Sequence, residues 1–192
     1  MKKKTFALLL SLVLVFGVVA GGTIAWLTQT TTPVVNTFTY GDINITLDET
    51  VDPNFKIIPG VDLKKDPKVT VTAGSEACYL FVKVEKENWP TLTEADGTTK
   101  KVSYAIADGW TALEGQDDVY YRVVSADDAK KGVSYNVLAG NDAYPDGVVT
   151  VSENLTKTDV NGLKANQPKL TFTAYAVQKD GIADVATAWS KI

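Results

Sequence analysis

From residue 43 onward apolar side chains recur at every second position in short runs, the period of strands that bury one face. In "INITL" Ile43, Ile45 and Leu47 share a face against Asn44 and Thr46, and "KVTVT" repeats the pattern with Val69 and Val71. The strongest run is "ACYLFVKVE". There Cys78, Leu80, Val82 and Val84 point one way and Tyr79, Phe81, Lys83 and Glu85 the other. Both faces are partly apolar, which predicts a central strand. Further strands are expected over 102–106, 119–124, 148–151 and 169–178.

Between these runs stand Gly, Pro, Asn and Asp clusters such as "PGVDLKKDP", "EADGTTKK", "AGNDAYPDG" and "DVNG", which read as turns. Helical signal is scarce. Ser125 is placed to cap a short helix whose first turn holds Asp127 and Asp128, and Ile182, Val185, Ala186 and Trp189 recur at helical spacing near the C-terminus. The prediction is an all-β, jelly-roll-like β-sandwich over 42–192 with a short C-terminal helix, preceded by a signal-peptide helix.

The leader departs from this pattern. Lys2, Lys3 and Lys4 precede an apolar run from 6 to 20, followed by Ala20, Gly21 and Gly22, the layout of a secretory signal peptide. An uncleaved anchor is the rival, since residues 6–27 carry no charge. Either way the N-terminal lysines orient the rest of the chain outward, so secretion or a cell-surface location is expected and membrane contact only through an uncleaved leader. Residues 1–26 are assigned to the signal peptide and 27–41 to an N-terminal extension.

Without the three leader lysines the 19 basic residues fall to 16, against 23 acidic ones. Such a chain offers phosphate backbones no basic face, so no nucleic-acid partner is expected. Histidine is absent. That removes Ser-His and Cys-His nucleophile pairs and His-ligated zinc together. The single cysteine, Cys78, falls on the inward face of the best strand and reads as a small buried hydrophobe. The acidic groups Asp48, Glu49 and Asp52, then Asp117 and Asp118, then Asn141, Asp142 and Asp146 do not fit an EF-hand loop and read as solvated turns. Trp89, Trp110, Trp189 and the Tyr120-Tyr121 pair are candidates for a glycan or partner surface, with core and edge packing as the plainer role. No cofactor, metal or catalytic residue is assigned, and no enzymatic activity is expected.

The stretch "GGTIAWLT…NTFTYGDINITLDE" resembles the start of the TasA/camelysin family of exported proteins processed by a SipW-type signal peptidase. Gly21, Gly22, Thr23, Ala25, Trp26 and Leu27 match the family's processing region, and 36–38 and 41–47 match the segment after it. "LTFTAYAVQKDGIADVATAW" is similar to the closing strand and helix of small relatives, whereas the middle matches only in β-rich character. The resemblance implies cleavage near Trp26-Leu27 and jelly-roll subunits that assemble into matrix fibres by adding a freed N-terminal strand to the next subunit. The bare residues also allow a cut after Ala20 or Ala25.

Residues 27–38 fit that role physically, being uncharged and rich in Thr and Val. Leu27, Val34, Val35 and Phe38 are its candidate polymerisation residues, and Pro33, which has no N–H to donate, interrupts it. The expected function is therefore an exported subunit of biofilm-matrix or surface fibres, with copies of itself or sister subunits and the signal peptidase as partners. A monomeric adhesin or glycan-binding module is the alternative. A camelysin-type secreted protease stands third, weakened by the missing histidines.

Overall fold

The computed structural model describes residues 41–51 and 56–192. The signal-peptide helix and all of the N-terminal extension except Gly41 lie outside the described residues. What is described is an all-β chain: ten strands in three antiparallel sheets, with three short helices.

The strands are β1 (Ile45–Asp48), β2 (Leu63–Lys64), β3 (Lys68–Val71), β4 (Cys78–Glu87), β5 (Val102–Ser103), β6 (Thr111–Ala112), β7 (Val119–Val124), β8 (Val133–Asn136), β9 (Val148–Val151) and β10 (Lys169–Gln178). The helices are α1 (Ala126–Lys131), α2 (Lys157–Ala165) and α3 (Val185–Trp189). One sheet has the order β1-β3-β8, a second β10-β4-β7-β6, and a third, small one β2-β9-β5.

β4 is central, as its two-sided hydrophobicity predicts. It pairs with β10 from Lys169↔Glu87 to Gln178↔Cys78, and with β7 from Cys78↔Val124 to Lys83↔Val119. Its two faces serve different cores. Cys78, Leu80 and Val82 join Val69 and Val71 of β3 and Val124 of β7, so this core is shared by the first and second sheets, with Ile45, Leu47, Phe172, Ala174 and Ala176 against it. Tyr79 and Phe81 face the other way onto Leu113, Val119 and Ala188, where α3 covers the sheet.

The third core joins Val102, Val149 and Val151 of the small sheet to Leu155 and Leu163. It rests on a helix that the sequence pattern does not reveal: "DVNG", expected as a turn, lies inside α2. The reason is a capping box, in which the Thr156 hydroxyl accepts from Asp159 N–H while the Asp159 carboxylate accepts from Thr156 N–H. Buried Leu163 then fixes the helix despite Asn161 and Gly162 within it.

Other expectations need smaller corrections. The strand expected over 102–106 pairs only at Val102 and Ser103, after which Tyr104 turns its ring edge-on to Trp89 and Ile106 forms an isolated bridge to Leu138. In the C-terminal helix Ala188 is the buried alanine and Ala186 is exposed, because the helix starts at its Asp184 cap. Ser125 caps α1 as expected, accepting from Asp128 N–H at 3.2 Å.

Candidate functional site

The feature that stands out is a strand edge and the cleft beneath it. β10 uses one edge for ten pairs with β4, and among the described residues no strand pairs with its other edge. Such an edge presents a row of outward N–H and C=O groups, a template for another strand. The usual protections are missing here: β10 is long, holds no proline, and has its one charge at Lys169, its first residue.

β1 lies alongside β10 with no ladder between them. The two strands run in opposite directions. β1 is approached past Asp42, whose carbonyl accepts from Glu76 N–H at 3.0 Å, and β10 ends where Gln178 pairs with Cys78, so the start of one neighbours the finish of the other. At the opposite end of this seam lies an apolar cleft of about 1120 Å³. Leu47 of β1, Leu170 and Phe172 of β10, Leu63 of β2, and Trp89 and Leu163 contribute to its walls. Lys65 stands at the mouth, 2.7 Å from Glu49 and with Nζ 5.5 Å from the centre of the Phe172 ring. Ile58 also lines the cleft; with Val61 it flanks the turn at Pro59-Gly60, and both side chains are about half exposed.

Gly60 has φ 73°, the left-handed conformation glycine adopts without strain, and this lets Val61 N–H close on Ile58 O at 3.1 Å.

The residues singled out from sequence fall as follows. Gly21, Gly22, Thr23, Ala25, Trp26 and Leu27, and the polymerisation candidates Leu27, Val34, Val35 and Phe38, lie outside the described residues. The aromatics do not share one surface. Trp110 is buried and donates its indole N–H to Asn136 O at 2.8 Å, Trp189 packs against Phe81 at a tilt and against Tyr175 edge-on, and Trp89 meets Tyr104. Arg122 lies over the rings of Trp110 and Tyr135, 5.1 and 3.9 Å from their centres, and donates to Asp108 O and Gly109 O.

The acidic clusters are engaged locally. Glu49 pairs with Lys65, Asp118 with Lys86 at 2.6 Å, and Asp146 with Lys68 at 3.7 Å, while Asn141 accepts from the N–H groups of Ala143 and Tyr144. Among the described residues no three His, Cys, Asp or Glu side chains come together as a metal would require. Cys78 is fully buried, and burial pushes its thiol up to about 11, which keeps it protonated at neutral pH.

Sequence reasoning does not find the open edge or the cleft. The one sequence signal is that "KLTFTAYAVQ" carries no protective charge or proline past Lys169. Compared with known protein families, curated proteins and solved structures, the chain matches none.

Proposed function

We propose that the chain is an exported structural subunit of extracellular-matrix or surface fibres, a jelly-roll-like sandwich that polymerises by donating its N-terminal segment as a strand to the next copy. The observation that carries the reading is the ten-residue edge of β10, which no strand among the described residues pairs with, beside an apolar cleft. The sequence supplies the complement: an uncharged, Thr- and Val-rich stretch at 27–38 that a cut near Trp26-Leu27 frees at its N-terminal end. Strand addition satisfies backbone donors and acceptors on both partners, and alternate side chains enter whatever pocket lies behind the edge. A head-to-tail contact of this kind does not close on itself, so it propagates into a filament.

The test is N-terminal sequencing of the secreted protein together with electron microscopy of the assembled material. The expected result is a new terminus near Leu27, fibres from the processed chain, and no fibres when residues 27–38 are deleted. A processed chain that stays monomeric under all assembly conditions overturns the reading, and glycan binding by that monomer moves the choice to an adhesin.

A further inference from the structure

The fold narrows which edge takes the donor strand. β2, β5 and β6 are two residues long and offer almost no ladder. β8, at the outside of the first sheet, is covered at its end: Trp110 donates to Asn136 O, Ala107 N–H donates to Val137 O, and Ile106 bridges Leu138. Among the described residues the edges that remain, those of β1 and β10, border the same seam, and β10 is the longer by six residues, ten against four.

We infer that the outer edge of β10 is the acceptor, and that its occupant is residues 34–38 of a second copy of this chain, with Val34 and Phe38 entering the cleft beside Leu170 and Phe172. The inference rests on the polymerisation reading above. Lys179 N–H bonds Ala77 O at 2.9 Å, so the alternation of the antiparallel ladder turns the N–H and C=O of Leu170, Phe172, Ala174 and Ala176 outward. The side chains of those residues face the core shared with β1 and β3 and the cleft. In an added strand, positions four apart share a face, so Val34 and Phe38 go in together with Asn36 between them, while Val35 and Thr37 point outward. Pro33 then falls just before the paired stretch, where its missing N–H leaves no gap in the ladder.

A second copy is favoured over the chain's own segment by where β1 begins. The pairing of β1 with its neighbours extends back to Asp42, at the end of the seam remote from the cleft. For the same chain to fill its own cleft, it must reverse direction within residues 39–41 and run back along β1. A neighbouring copy needs no reversal. Two residues, Thr39 and Tyr40, lie between Phe38 and Gly41, three steps of chain that span about 10 Å when extended, so the donor's domain begins almost at the acceptor's surface.

Two double variants of the full exported chain test this, both with Val35→Cys on the donor. The first adds Thr171→Cys, an exposed residue on β10, and the second adds Ser134→Cys, exposed on β8. Buried Cys78 does not compete for oxidation. Lys169→Cys and Thr173→Cys in place of Thr171→Cys cover a shift of register by two residues, and circular dichroism and electron microscopy check folding and assembly. The expected result is a reductant-sensitive ladder of covalent oligomers with the β10 cysteines and none with Ser134→Cys. A disulfide within one monomer, mapped by mass spectrometry, overturns the second-copy occupant. Fibres whose β10 cysteines never cross-link, or that cross-link through Ser134→Cys, overturn the acceptor edge while leaving polymerisation standing. A variant that is folded, processed and monomeric like the unsubstituted chain overturns the polymerisation reading itself.

Discussion

Trp189 sets its indole against Phe81 with ring centres 5.3 Å apart and planes at 54°, joining the last helix of the chain to the central strand of the second sheet. Tyr175 of β10 meets the same indole edge-on at 5.7 Å. Because α3 is only five residues long, it holds its place by this contact and by buried Ala188 rather than by its own helicity.

Trp189→Ala is therefore expected to cost about 2–3 kcal/mol, somewhat less than a fully buried aromatic, because Trp189 is half-buried. Urea unfolding followed by circular dichroism measures it. A change under about 0.5 kcal/mol would show that α3 adds nothing to the sheet.

Asp66 is the buried carboxylate among the described residues, and it accepts from the Thr50 hydroxyl and from Thr50 N–H at 3.1 Å, with Lys64 at 3.0 Å. Burial works to raise its pKa, but the hydrogen bonds from Thr50 and Lys64 and the lysine's charge outweigh it and hold the carboxyl below 3.8. A depressed folded-state pKa means stability that is present above the unfolded value and lost as pH falls through the folded one. The stability of the unsubstituted chain should thus decline on acidification below about pH 4, and Asp66→Asn should flatten that decline while lowering stability at pH 7. Unfolding curves at several pH values for both chains decide it; equal acid slopes would refute it.

The Cys78 thiol should resist alkylation in the folded protein at pH 8 and react at once in denaturant, since burial holds its pKa at about 11. Cys78→Ala should be mild. Cys78→Ser places a hydroxyl in the core at a cost of about 1–3 kcal/mol. Rapid labelling of the native thiol would contradict the burial.

Thr156→Ala breaks the capping box of α2 and is expected to cost about 1 kcal/mol, while Thr156→Ser should restore most of it. The loss should appear first as faster hydrogen exchange over Lys157–Ala165, the helix that supplies Leu163 to the third core. Uniform exchange in both chains would place the helix's stability elsewhere.

How far the sequence shows this fold depends on how far each element carries its own period. β4 is legible because residues 78–85 remain apolar and then alternate, β10 because residues 169–177 alternate and then remain apolar, and β7 and β9 because Val and Tyr largely fill them. β2 and β6 are too short to have a period at all, and β5 keeps only the first two residues of the strand expected over 102–106. β8 is hidden because its alternation, Val133 and Tyr135 against exposed Ser134, lasts only four residues between Gly132 and a loop. α2 is hidden because its middle reads Asn-Gly, and local propensity gives way to the cap and to Leu163. The cleft is illegible for a different reason. Leu47, Trp89, Leu163 and Phe172 are far apart in the chain, and only the topology brings them to one wall.

The passage from β3 to β4 has a mechanical consequence. Residues 72–77 cross from the first sheet to the second, fastened by Ser75 Oγ to Thr72 O at 2.7 Å, Gly74 N–H to Lys130 O at 3.1 Å and Glu76 N–H to Asp42 O. In the proposed fibre, gripped at β10, tension arriving at Gly41 enters β1 beside Val71, the residue from which β3 leaves for this crossing, so the pairs from Ile45↔Val71 to Asp48↔Lys68 are loaded in turn from that end. It then crosses this short tie into β4 and leaves through ten more pairs into β10. With no ladder between β1 and β10 to share the load, residues 72–77 and the α1 crossing from β7 to β8 are the direct covalent routes for strain between the two sheets, and lengthening residues 72–77 would soften the proposed filament without touching either ladder.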